Sequence, residues 1–283
     1  MLNWLIIDDI IKGSLKEDMP IEDITTNCII DENYNSTIDL IAKDNGIIAG
    51  LEVFKRVFDI LSINLGDAKV ELLKKDGDTV AYGDLVATLT GSTKCILAGE
   101  RTALNILQRM SGIATLTNLF VKEIKDTNTK ILDTRKTTPL LRILEKYSVI
   151  VGGGFNHRFN LSDGILLKDN HIAYAGGIKN AVSKAKASTS FVRKIEVETE
   201  NLDMVKEALQ AKADIIMLDN MDLSTIKAAI TMIDKKALTE CSGNVNLTNI
   251  KEIANTGVDF ISIGALTHSF KALDLSMKNL RRI

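Results

Sequence analysis

Only two prolines and 5% aromatic residues occur in the 283-residue chain, which argues against an extended disordered tail. The three cysteines, Cys28, Cys95 and Cys241, are far apart and form no Cys-x-x-Cys pair. That spacing excludes a zinc ribbon and a disulfide framework and points to a reducing cytoplasm. Neither sign of charge dominates: 35 basic residues stand against 37 acidic ones, a net charge of -2. A surface that grips nucleic acid over its whole extent is therefore excluded, and any anion site must be a local concentration of cations. No apolar run is long enough to span a membrane, and the apolar stretch near Met1 has no basic residues before it, so neither a span nor a signal peptide is expected. What remains is ordinary globular composition, 45% hydrophobic and 25% charged, in a length that suits one large or two medium domains.

The two halves of the chain have different periodicities. Between residues 36 and 91, short apolar runs are separated by turns at Asp76-Gly77 and Gly83-Asp84, the pattern of strands meeting in hairpins. Lys75 to Asp84 is similar to a biotinyl or lipoyl module, but no lysine sits at a hairpin tip, so it is read as a structural turn. Val53, Phe54, Val57, Phe58 and Leu61 follow helical spacing. A longer helix is expected from near Leu97 to near Lys125, with Gly112 as a candidate interruption. The second half alternates. Strands are expected at 130–133, 149–151, 164–168, 194–198, 214–219, 237–241 and 259–264. Most are separated by helical patterns, with Asn201, Asp222 and Thr248 at N-cap positions. About seven strands alternating with helices favour an α/β barrel over an open doubly wound sheet.

Polar residues gather at the C-terminal ends of those strands, the rim where barrel enzymes carry their chemistry. Arg135, Lys136, Arg158 and Lys168 put four cations there, beside His157. Crowded cations call for an anion between them, and arginine forks match carboxylates and phosphates. Glu198 and Asp219 supply carboxylates suited to Mg2+ held beside a phosphate. Ser242-Gly243 and Gly264-Ala265 are read as backbone donors at helix N-termini, a phosphate cradle. Glu196 is read as facing away from Glu198, and His171 and His268 as capping or hydrogen-bonding residues. The site as a whole reads as a dianionic organic acid beside a phosphorylated sugar with magnesium.

At these residues the sequence resembles the type II quinolinate phosphoribosyltransferases, the carboxylating nicotinate-nucleotide pyrophosphorylases. The resemblance is carried by Glu100-Arg-Thr-Ala-Leu-Asn105, Asp133-Thr-Arg-Lys-Thr137, Gly152-Gly-Gly-Phe-Asn-His-Arg158, Leu166-Leu-Lys-Asp-Asn-His171, Glu196-Val-Glu198, Met217-Leu-Asp-Asn220, Glu240-Cys-Ser-Gly-Asn244 and Ile263-Gly-Ala-Leu-Thr-His268, spread over most of the chain. It implies a mixed α/β sandwich domain over residues 1–110, joined by a C-terminal helix at 269–283. It also implies an open seven-stranded α/β barrel over 111–268. The implied reaction moves phosphoribosyl from phosphoribosyl pyrophosphate to quinolinate and releases CO2, giving nicotinate mononucleotide for NAD synthesis.

The family pattern implies that Arg135, Arg158 and Lys168 bind the quinolinate carboxylates. His157, Lys136 and Thr134 would assist, with Arg101 donated by the partner of a head-to-tail homodimer. Glu198 and Asp219 would hold the ribose hydroxyls and Mg2+. Ser242, Gly243, Asn244, Ile263, Gly264 and Ala265 would hold the 5-phosphate. Lys136, Lys168, Glu198 and Asp219 are the implied catalytic set, and assembly of dimers into hexamers stays open. Two competing readings are a relative from molybdenum-transport loci acting on another acid or base, and a non-catalytic metabolite sensor. Turnover with quinolinate separates both from the family reading.

Overall fold

The structure, a computed structural model, describes residues 2–30 and 34–283; Met1, where the apolar N-terminal stretch begins, lies outside them. The chain forms two compact units: one of residues 1–118, 137–153 and 266–283, the other of 119–136 and 154–265. Residues 111–118, 137–153 and 266–268 thus group with the first unit, whereas the family resemblance implies a barrel over all of 111–268.

The first unit opens with α1 (Trp4–Asp18) and α2 (Ile24–Ile29), followed by β1 (Asn35–Ala42) and β2 (Gly46–Ile47). Next come α3 (Leu51–Leu65), β3 (Ala68–Leu72), β4 (Thr79–Val80), β5 (Leu85–Ser92) and α4 (Thr93–Glu123). Ile7, Ile11 and Leu15 recur at helical spacing and bury one face of α1. The core of α3 is the edge-on pair Phe54 and Phe58, ring centroids 5.2 Å apart and both fully buried. Burying each ring contributes about 1.5–3 kcal/mol. The Asp76-Gly77 turn has a structural job: the Asp76 carboxylate accepts the N–H groups of Gly50 and Leu51 and caps α3. Gly112 does not interrupt α4; a Cβ there would lie 2.3 Å from the Lys271 carbonyl, so glycine admits a close backbone approach.

The second unit begins its sheet with β6 (Lys130–Leu132). After α5 (Arg142–Val151), which belongs to the first unit, come β7 (Ile165–Leu167), α6 (Asp169–Ala175), α7 (Ile178–Ser188), β8 (Ile195–Thr199), α8 (Leu202–Gln210), β9 (Ile215–Asp219) and α9 (Leu223–Ile233). β10 (Leu238–Ser242), α10 (Ile250–Ala254), β11 (Phe260–Ser262), α11 (Ala265–His268) and β12 (Leu275–Arg282) complete the chain. Among the described residues the second unit holds a six-stranded sheet ordered β6-β11-β10-β9-β8-β7, every neighbouring pair parallel. Asn201 and Asp222 cap α8 and α9 with their side chains.

Three expectations fail here. Val149–Val151 is the last turn of α5, not a strand; its β-branched residues look strand-like, but Leu144, Glu145, Ser148 and Val149 bury a helical face. A single parallel bridge from Phe155 to Leu132 stands beside β6 instead. Residues 269–283 do not end in a helix: Leu275–Arg282 is a strand antiparallel to β1, and Arg281 forks onto the Asp39 carboxylate at 3.0 Å. Thr248 is not an N-cap; the helix there is short and its cap residue is Asn249.

Candidate active site

The parallel strands of the second unit end on a common rim. After β6, buried Asp133 accepts the His157 backbone N–H at 2.9 Å, and the Thr134 hydroxyl accepts the Lys136 N–H at 3.0 Å. Arg135 and Lys136 are exposed there. Arg158 is partly buried and donates from Nη1 to the Gly164 carbonyl at 2.9 Å. Burial, then the Arg135 charge, push the Arg158 pKa downward. Guanidinium stays charged regardless, so the two arginines carry a repulsion that a bound dianion would remove.

Lys168 and Glu198 meet across β7 and β8, Nζ to Oε2 at 2.6 Å. Lys168 also begins α6, its N–H donating to His171 Nδ1 at 3.1 Å, which gives His171 the expected capping role. Asp219 ends β9, and its carboxylate accepts from the Asn220 amide at 2.7 Å. Asn220 then ties in the loop after β10: its N–H donates to the Ser242 carbonyl at 3.0 Å, and its Oδ1 accepts from Asn244 at 3.1 Å. Gly243 and Asn244 both have positive φ, 95° and 52°. This loop is not a helix N-terminus, as the sequence pattern suggested: α10 starts only at Ile250. Gly264-Ala265 does lie at the start of α11, a helix of four residues. Ile263 is buried and its N–H bonds the Leu132 carbonyl at 3.0 Å, so it shapes this stretch rather than donating to a phosphate. Arg101 lies on α4 in the other unit and is exposed.

Beneath the rim, the structure corrects the reading of Glu196. Residues two apart on a strand share a face, so Glu196 points inward below Glu198. Its Oε2 lies 3.2 Å from His157 Nε2, and Glu240 Oε2 lies 3.5 Å from the same nitrogen. Burial, then the neighbouring Glu196 charge, push the Glu240 carboxyl up to about 8. Among the described residues, His157, Glu196 and Glu240 are the one group of three whose donor atoms lie close enough to hold a metal ion. The ring orientation argues against that use. His157 Nδ1 accepts the Arg158 backbone N–H at 2.7 Å. Nε2 must then carry the ring proton and cannot ligate in the neutral form. Glu198 and Asp219 offer hard carboxylate oxygens at the strand ends, the donor type Mg2+ takes.

A cavity of about 340 Å3 reaches Glu196 and Glu240 from the strand-start side, past Ile215, Leu238 and Phe260. Its lining includes His157 and Arg158 but not Arg135, Lys168, Glu198 or Asp219. Cys241 is buried, and burial followed by the Glu240 and Asp219 charges pushes its thiol up to about 12, which removes it as a nucleophile.

Comparison with known proteins decides the family. Residues 23–111 match the model of the quinolinate phosphoribosyl transferase N-terminal domain, and 113–278 match that of the C-terminal domain. The chain belongs to the quinolinate phosphoribosyltransferase family. It is 42% identical to a probable nicotinate-nucleotide pyrophosphorylase (carboxylating) of Bacillus subtilis, over 98% of this chain and 94% of that protein. The corresponding protein of Methanocaldococcus jannaschii is 44% identical, over 96% of each. The crystal structure of NadC from Streptococcus pyogenes superposes with a TM-score of 0.95 at 47% identity, covering 100% of this chain and 99% of that one.

Within this quinolinate phosphoribosyltransferase fold, the sequence pattern left Asp133, Asn220 and Glu240 without roles. Asn220 and Glu240 were visible inside Met217–Asn220 and Glu240–Asn244, but only the structure shows what each touches.

Proposed function

We propose that this chain transfers phosphoribosyl from phosphoribosyl pyrophosphate to quinolinate with loss of CO2, giving nicotinate mononucleotide and pyrophosphate. One observation carries the proposal: Lys168, just past β7, pairs with Glu198 near the end of β8 at 2.6 Å, and β8 lies beside β9, which ends in Asp219 and the loop-binding Asn220. Acid and sugar phosphate would therefore lie side by side. Arg135, Arg158 and Lys168 hold the two carboxylates, with His157, Lys136 and Thr134 completing the pocket. Ser242, Gly243, Asn244, Gly264 and Ala265 hold the 5-phosphate.

Glu198 and Asp219 bind the ribose hydroxyls and would hold Mg2+, which when bound supplies charge neutralisation for the pyrophosphate leaving group. Lys168 sits between the two substrates and stabilises the acid as its ring nitrogen approaches the ribose C1. The N-ribosylated ring is a pyridinium, whose positive nitrogen stabilises the electron pair left in plane on C2 when the 2-carboxylate departs as CO2, and a proton taken up at C2 then completes nicotinate mononucleotide. Positioning and electrostatics supply most of the rate.

The same reading covers the finer architecture. The Phe155 bridge occupies the place of a seventh strand in an open barrel. Two chains pair head to tail so that Arg101 of one completes the pocket of the other. No described helix is long and apolar enough to cross a membrane, and the cysteine pattern fits the cytoplasm. The test supplies phosphoribosyl pyrophosphate and Mg2+ with either quinolinate or nicotinate. Consumption of quinolinate alone supports the proposal, and consumption of nicotinate in its place overturns it.

A further inference from the structure

His157 is held at three points. Its backbone N–H bonds buried Asp133, its Nδ1 accepts the backbone N–H of Arg158, and its Nε2 faces Glu196 Oε2 at 3.2 Å. A backbone N–H can only donate, so the ring proton lies on Nε2 and is given to a carboxylate. Glu196 is the nearer acceptor; Glu240 Oε2 is 3.5 Å away. Both carboxyls are almost fully buried, at 4% and 2% exposure. Two negative charges this close in a dry interior disfavour each other. Burial, then the neighbouring Glu196 carboxylate, push the Glu240 carboxyl toward its neutral form, and Glu196 is the carboxylate that lies nearer the histidine.

We propose that Glu196 is a positioning residue for acid-substrate recognition: it fixes the His157 ring, whose Nδ1 fixes the backbone amide of Arg158 and so the approach of that guanidinium to the substrate carboxylate. The proposal rests on the reading of Arg158 as a quinolinate contact. Glu196 acts on the substrate only through the histidine.

The experiment compares Glu196→Gln, Glu240→Gln and Arg158→Ala in steady-state assays with each substrate varied. Arg158→Ala serves as the reference and raises KM for quinolinate by about 30-fold or more. Glu196→Gln replaces the carboxyl group nearest His157 Nε2 by an amide that can turn a donor toward the ring N–H, a change worth roughly 10-fold to 100-fold. It raises KM for quinolinate by that factor and leaves KM for phosphoribosyl pyrophosphate within about twofold. Glu240→Gln keeps a neutral donor of the same shape and leaves both values within about twofold. If Arg158→Ala leaves KM for quinolinate unchanged, the reading of the site fails. If Arg158→Ala behaves as expected but Glu196→Gln leaves both KM values alone or moves them equally, the positioning role fails while the site stands. Nitrogen-15 spectra of the wild-type histidines, with His157 assigned by its loss in His157→Gln, test the same arrangement without a Glu196 variant. A neutral ring protonated on Nε2 at pH 7 supports the proposal; a ring protonated on Nδ1, or an imidazolium, overturns it.

Discussion

Gly243→Ala tests the phosphate loop most sharply, because the structure supplies both terms of its cost. Gly243 has φ +95°, and a Cβ there would lie 2.2 Å from Asn220 Oδ1 and 2.6 Å from its Cγ. An alanine must therefore pay for backbone strain and push Asn220 away, and Asn220 is bonded to Asp219 at 2.7 Å. Strain of this kind costs about 1–3 kcal/mol. If the loop relaxes out of its binding shape, KM for phosphoribosyl pyrophosphate rises by roughly 5-fold to 150-fold. KM for quinolinate changes little. Gly77→Ala is the control: φ is +94°, but nothing lies within 4 Å of the added Cβ. It loses stability to strain of the same sign and keeps wild-type kinetics. Steady-state kinetics with each substrate varied, beside thermal melts of both variants, read the difference. A folded Gly243→Ala enzyme with an unchanged KM for phosphoribosyl pyrophosphate refutes the placement of the phosphate.

Two further predictions probe other parts of the molecule. Arg101→Ala and Lys168→Ala proteins, each inactive alone, regain activity when unfolded and refolded together; random pairing gives about a quarter of the wild-type rate if one site in each mixed dimer is intact. Absence of recovery contradicts a site shared between subunits. Iodoacetamide at pH 8 labels Cys28, which is exposed, and spares Cys95 and Cys241, which are buried with raised pKa values. A thiol whose pKa lies above the ambient pH stays protonated and unreactive, so mass spectrometry of the native protein finds one label, and a label on Cys241 contradicts its burial beneath the rim.

The rim was legible in the sequence because strand ends announce themselves: an apolar run followed by Asp133-Thr-Arg-Lys, Lys168-Asp-Asn-His or Asp219-Asn is a strand leaving the core. The helices that follow were legible from caps such as Asn201 and Asp222. Elements whose local preference is overruled by packing were not. Val149-Ile-Val151 has strand-forming residues inside an amphipathic helix, and the basic residues near the C-terminus favour a helix but pair with β1, with Arg281 bound to Asp39. Buried polar partners were the other loss. Glu196 and Glu198 are two apart and share a face, yet a carboxylate beneath the rim has no sequence signal until His157 and Glu240 are found beside it. The Ser242 loop looked like a helix start because glycine serves both purposes; the positive φ at Gly243 and Asn244 shows which one applies.

The central claim is that one rim joins an acid pocket to a sugar-phosphate site and couples transfer to decarboxylation. Its most direct test follows CO2 and nicotinate mononucleotide together in one reaction of the purified protein with quinolinate, phosphoribosyl pyrophosphate and Mg2+, with and without a chelator. Equal release of both products, abolished by the chelator and restored by added Mg2+, is the expected result. Tight binding of the sugar donor with no product from quinolinate would contradict the claim and shift the substrate to a different acid or base.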